Sequence, residues 1–139
     1  MATTRNARAH WEGSLLEGQG TVELTSSGIG TYPITWASRA ESADGRTSPE
    51  ELIAAAHASC FSMALSNGLA KSGNPAISLN TSVEVDFQPG VGITEIRITL
   101  SGEAENLDAA GFEAAAEDAK ANCPVSKALA AVPITLRVV

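Results

Sequence analysis

The sequence predicts one α+β domain spanning residues 1–139, and three observations carry that class. Strand-like runs come in groups instead of alternating with helices: a glycine-punctuated set over residues 9–38, a long pair over 77–100 and a last run at the C-terminus. That grouping argues against a parallel α/β sheet. Residues 77–87, "ISLNTSVEVDF", alternate apolar and polar side chains without a break, the pattern of a strand with one wet face. Residues 52–70 form an apolar run with almost no polar face, which reads as a helix buried on every side. At 139 residues the chain can bury one hydrophobic core without staples.

Taken in order, "TVEL" and "YPITWAS" sit between glycines and fit a meander of two or three strands. The loops "LEGQG", "SSGIG" and "QPGVG" are short, and no repeat, low-complexity tract or charge block divides the chain. The central helix has a well-specified start, with Ser48 as N-cap, Pro49 in the first helical position and Glu51 three residues after the cap, the spacing of a capping box. In the strand over 77–87, Ile77, Leu79, Thr81, Val83, Val85 and Phe87 are expected to face one way and Ser78, Asn80, Ser82, Glu84 and Asp86 the other. Ile96, Ile98 and Leu100 repeat the alternation after a Pro-Gly turn, so a hairpin is expected. "DAAGFEAAAEDAKAN" reads as a helix, and "ITLRVV" after Pro133 as a final strand. A monomer of this size cannot cover residues 52–70 on all sides, so a partner subunit is expected to complete the burial.

A net charge of −7, with nine scattered Lys and Arg, argues against nucleic acid and against an anionic membrane surface as partners. The run from Leu52 to Ala70 has the length of a membrane span, but Ala, Ser, His and Asn fill much of it, so no membrane insertion is expected. The N-terminus "MATTRNARAHWEG" carries two arginines with no apolar segment behind them, so a cytoplasmic location is expected. Thiols stay reduced there, and the two cysteines, Cys60 and Cys123, then read as a reactive pair or as two buried bystanders and not as a permanent staple.

Cys60 follows His57 by three positions, which puts both on one face of the central helix. Three readings compete. A zinc site would need His10 and Cys123 from distant segments, without the usual close ligand spacing. A Cys/His hydrolase would have its base one turn away on the same helix, poorly aimed at a substrate in a cleft. In the third, His57 packs and hydrogen-bonds while Cys60 does redox chemistry. "ANCPVSKAL" favours this one. Pro124 ends the preceding helix and suits the first position of a new one, leaving Cys123 at a helix N-terminus where backbone N–H groups stabilise a thiolate. Lys120 and Lys127 are expected to add positive charge nearby.

With "AHWEG", "SPEELIAAAHASCFSMAL" and "ANCPVSKAL" together, essentially the whole chain resembles the OsmC/Ohr family of organic hydroperoxide peroxidases, and the OsmC branch in particular. The resemblance implies an intertwined homodimer, each subunit giving a strongly curved antiparallel sheet, with the long central helices at the interface. It implies that Cys60 attacks the hydroperoxide and becomes a sulfenic acid, which Cys123 resolves to a disulfide that an external dithiol reductant resets, with no metal or flavin. The resemblance further implies a setting in oxidative or osmotic stress defence. The family's Glu, ten positions before the reactive cysteine, matches Glu50. Its Arg matches Arg39 in "WASRAE", with Arg46 in reserve, because the early loop that carries it in the Ohr branch here holds Glu17, Gly18 and Gln19. If residues 49–66 form one helix, Glu50 and Cys60 stand about 15 Å apart along its axis, so Glu50 is expected to serve the Cys60 of the partner subunit. A general thiol–disulfide oxidoreductase fits less well because the cysteines are not in a C-x-x-C pair. A non-catalytic redox sensor or ligand-binding module remains the alternative from a different class.

Overall fold

A computed structural model describes residues 1–139. Its contacts group the chain into two compact units, Met1–Leu52 and Ile53–Val139.

The first unit opens with an antiparallel meander: β1 (Arg8–Glu12), β2 (Gln19–Glu23) and β3 (Thr31–Ile34), in that spatial order. Three strands form, at the upper end of the expectation. "YPITWAS" is not one strand: it ends at Ile34, and Trp36–Ala40 forms a short helix, α1. The cause is Thr35, whose extended backbone and side chain cap α1. Its hydroxyl accepts from the Ser38 N–H while Ser38 Oγ accepts from the Thr35 N–H, a reciprocal capping box. Ser38 Oγ also lies 3.1 Å from the Thr47 carbonyl, and Ile34 makes an isolated parallel bridge with Thr47. These contacts hold α1 against the chain just ahead of the central helix.

That helix, α2, runs Pro49–Lys71 without a break. Ser48 Oγ accepts from the Glu51 N–H at 3.1 Å, as a cap should. The other half of the expected capping box is absent: the Glu51 carboxylate accepts instead from the Thr47 hydroxyl.

In the second unit, β4 (Ala76–Gln88) and β5 (Gly92–Ala104) form the expected hairpin, and β6 (Ile134–Val138) completes a sheet of order β4-β5-β6. The last strand runs parallel to β5, not antiparallel, with Ile98 opposite Leu136. It reaches β5 through two helices, α3 (Ala109–Asn122) and α4 (Pro124–Ala128), the length of connection that a parallel pairing requires. Asp108 caps α3, its carboxylate accepting from Gly111 N–H.

The alternation in β4 holds from Leu79 to Val85, with Glu84 opposite Arg97. Arg97 makes paired 2.7 Å contacts to Asp86 and reaches Glu84 and Glu95, a cross-strand charge cluster that matches the register. Asp86 is held below the usual carboxylate range, first by this hydrogen bond. Ile77 departs from the expected inward face: the ladder shifts register between Ala76 and Ser78, and this irregularity leaves Ile77 58% exposed.

The core of this unit gathers Phe61, Leu65 and Leu69 of α2, Ile98 and Leu100 of β5, Phe112, Ala116 and Ala119 of α3, and Cys123. Burying each large apolar side chain contributes about 1.5–3 kcal/mol. Positions 57, 61, 65 and 69 recur every four residues, so α2 buries one stripe. Its other face, including Ser59, Met63, Ser66, Asn67 and Ala70, is exposed. The expected burial on every side is thus met on one side only, because a three-stranded sheet and α3 reach no further around the helix. By length and mean hydropathy (1.3) α2 could also cross a bilayer, but its stripe is committed to the core.

Candidate dithiol site

Two side-chain constellations contain the residues singled out in the sequence, one in each unit. In the second unit, Cys60 Sγ and Cys123 Sγ lie 3.0 Å apart, both as free thiols. The junction works as its sequence suggests: Cys123 ends α3, its N–H bonded to the Ala119 carbonyl at 2.8 Å, and also precedes Pro124, the first residue of α4. Cys60 is half-buried, whereas Cys123 is fully buried. Cys60 opens on a cleft of ≈ 680 Å³ lined by Met63, Ala64, Asn67 and Lys71 of α2 and by Asp118 and Asn122 of α3. Phe61, two positions before Met63, faces the core and not this cleft.

The two thiols share their protons unequally. Burial and the hydrogen bond shared with Cys123 hold the Cys60 thiol above its ordinary value, with the Val125 N–H working against them. Burial also acts to raise Cys123. There, however, the hydrogen bond shared with Cys60, the backbone N–H and hydroxyl of Ser126 and the Val125 N–H prevail and hold it below the ordinary value. Within one chain the surrounding groups thus favour proton loss at Cys123 over proton loss at Cys60. The favourable groups are the backbone and hydroxyl of α4. Lys120, one of the expected cations, pairs with Glu117 at 3.5 Å.

A second contact runs beside the first. His57 Nε2 and Ser126 Oγ are 2.7 Å apart and buried. Burial holds His57 below its ordinary pKa of 6.5, so it is neutral. His57 thus packs and hydrogen-bonds, as the preferred reading of the sequence had it. Ser126 went unremarked in the sequence. Its signal was the spacing C-x-x-S, which sets it on the face of α4 that carries Cys123.

In the first unit, Arg39 and Glu50 are paired. Arg39 Nε lies 3.0 and 3.3 Å from the two carboxylate oxygens and Nη2 2.9 Å from Oε1. The Glu50 side chain is 8% exposed and the Arg39 side chain 32%, while the guanidinium stands 6.0 Å from the Trp36 ring. Arg46, the reserve candidate, is in a turn beside Asp44. Arg39 also borders an apolar cavity of ≈ 330 Å³ formed by Trp11, Leu15, Ile34, Trp36 and Pro49.

A core that holds two thiols in contact, one of them open to a cleft, defines a dithiol site able to close into a disulfide. The chain belongs to the OsmC-like protein family, whose profile matches residues 42–137. It is 40% identical over 134 residues to Peroxiredoxin OsmC of Escherichia coli (strain K12), covering 94% of this chain and 93% of that one. Among solved structures it is similar to an organic hydroperoxide resistance protein OsmC from Legionella pneumophila, at a TM-score of 0.70 and 25% identity over 99% of this chain and 98% of that chain. The organic hydroperoxide resistance protein OhrB of Bacillus subtilis shares the fold, at a TM-score of 0.69 and 21% identity over 96% and 98% of the two chains.

Proposed function

We propose that this chain is a cysteine-based peroxidase that reduces organic hydroperoxides to alcohols in the cytoplasm, as a homodimer, in oxidative or osmotic stress defence. The observation that carries the reading is the 3.0 Å contact between a half-buried Cys60, open to a cleft, and a fully buried Cys123. The 40% identity to a protein named a peroxiredoxin supports it.

In the reaction, the Cys60 thiolate attacks the outer oxygen of R–O–OH. The S–O bond forms, the O–O bond breaks, and RO⁻ takes a proton to leave as the alcohol. Cys60 is now a sulfenic acid. The Cys123 thiolate attacks its sulfur, the S–S bond forms, and hydroxide leaves and is protonated to water. An external dithiol reductant then exchanges with the disulfide and is itself oxidised. Only Cys60 is open to substrate, so its nucleophilic form requires the shared proton to pass to Cys123 or a cation to approach from outside the pair. In our reading that cation is Arg39 of the partner subunit, aligned by Glu50, with the exposed face of α2 covered in the dimer.

Purified protein supplied with an organic hydroperoxide and excess dithiol should turn over many times. Oxidation that stops after a single disulfide per chain would favour the alternative, a non-catalytic redox sensor, which the same cysteine contact could serve.

A further inference from the structure

His57 and Cys60 stand three apart on α2, and Cys123 and Ser126 stand three apart at the start of α4. The two segments meet through both pairs: Cys60 Sγ to Cys123 Sγ at 3.0 Å and His57 Nε2 to Ser126 Oγ at 2.7 Å. The second contact is fully buried and has no part in the chemistry above. His57 Nδ1 is buried with no hydrogen-bond partner.

That orphan decides how the histidine is protonated. A proton on Nδ1 would bury an N–H with no acceptor, whereas a proton on Nε2 is accepted by Ser126 Oγ, and a buried N–H is the costlier group to leave unmatched. With Nε2 donating, the Ser126 hydroxyl has a filled acceptor side and its single hydrogen remains for another partner. Cys123, at the N-cap of α4 three positions before Ser126 and in contact with the α2 face that carries His57 and Cys60, is the group its placement offers. The groups acting on Cys123 are then Cys60 and, through Ser126, His57 from α2, together with the Val125 and Ser126 N–H groups and the Ser126 hydroxyl from α4.

We propose that His57 and Ser126 are positioning residues for disulfide closure: neutral His57 orients the Ser126 hydroxyl so that its hydrogen is left for Cys123, readying the resolving sulfur to attack the oxidised Cys60. The inference rests on the peroxidase reading for its place in the cycle but not for its chemistry, since a serine hydroxyl donating to Cys123 would alter that thiol whatever oxidises Cys60.

Two measurements test it. In a Cys60→Ala background, ultraviolet absorbance follows thiolate formation at Cys123 alone as pH is varied. Ser126→Ala and His57→Leu should each raise the midpoint by about one pH unit, the size expected for losing one hydrogen bond to a charged group. Ser126→Thr, which keeps a hydroxyl, and His57→Gln, which keeps an Nε2–H donor, should restore most of the shift. With Cys60 present and stoichiometric cumene hydroperoxide, Ser126→Ala should slow disulfide closure about tenfold at neutral pH and divert Cys60 to sulfinic acid. An unmoved midpoint in the folded Thr, Gln and Ala variants alike would overturn the inference, as would Thr and Gln variants as shifted as Ala and Leu. A shifted midpoint in a protein that consumes no peroxide would sink the peroxidase reading and leave the tuning of Cys123 standing.

Discussion

Arg39 and Glu50, eleven positions apart, meet through a two-oxygen contact at 2.9–3.3 Å, with the carboxylate almost fully buried and the guanidinium one-third exposed. Any carboxylate in a first turn gains a few tenths of a kcal/mol to about one from the helix dipole, and that would suffice for a surface glutamate. Burial against one arginine is a more specific arrangement. Arg39→Met leaves the Glu50 charge buried without its partner and should destabilise the protein by about 1–3 kcal/mol, discounted from the fully buried case because Arg39 is partly solvated. Urea denaturation checks it, and Glu50→Gln should cost less because its amide oxygen still accepts from Arg39.

The same pair gives the test of site sharing. Glu50→Gln subunits mixed with Cys60→Ser subunits should regain activity that neither parent has, because one site of the heterodimer then combines an intact Cys60 with an intact Glu50. Verified heterodimers that stay as inactive as the parents would place Glu50 and Cys60 in the service of one chain.

The buried His57 sets an acid limit on stability. Its folded pKa lies below its unfolded value of about 6.5, so as pH falls through 6.5 the unfolded chain takes up a proton that the folded chain refuses. The contribution from neutral His57 is full above pH 6.5 and declines below it. Melting temperatures from pH 7.5 down to 5 should fall more steeply in the native protein than in His57→Gln. Parallel curves for the two would remove His57 as the cause.

Gly102 lies opposite Leu79, next to the register shift that turns Ile77 outward. A Cβ there would sit 2.2 Å from the Ser78 carbonyl oxygen and 3.1 Å from Leu79 Cα, both backbone atoms that cannot swing aside. Gly102→Ala should therefore destabilise the hairpin by about 1–3 kcal/mol, read from the urea midpoint.

Met63, 71% exposed on the wall of the Cys60 cleft, gives substrates with an alkyl group something to bury against. Cumene hydroperoxide should exceed hydrogen peroxide in kcat/KM, with about 0.8 kcal/mol per buried CH₂ as the upper guide. Met63→Ser should narrow that gap. Equal efficiencies in the native protein would remove the cleft as a determinant of substrate choice.

How far the sequence reveals this molecule depends on how local each cause is. The hairpin is legible because period-2 alternation from Leu79 to Val85 and from Ile96 to Leu100 is an intrinsic record of one buried face. The limits of α3 are legible because Asp108 and Pro124 act within one turn. Extrapolating the alternation back to Ile77 fails because a register shift leaves no mark on residue polarity. The five residues of β6 announce a strand but not its neighbour or direction. Trp36–Ala40 hides behind β-forming residues, since only Thr35 and Ser38 acting together cap it. In the site, both thiols and His57 are visible as residues of reactive type at helical spacing, and Arg39 is one of two candidates until the fold sets it, and not Arg46, against Glu50. Ser126 is passed over because a serine in a short helix has many ordinary roles, and its importance comes from meeting His57 across 69 positions.

The division of labour between the two thiols is the centre of the account, and trapping the first oxidised sulfur tests it most directly. Cys123→Ser protein given a limiting organic hydroperoxide and dimedone should consume one equivalent and carry the adduct on Cys60 by mass spectrometry, while Cys60→Ser protein should consume none. Peroxide consumption by Cys60→Ser, with the adduct on Cys123, would contradict it.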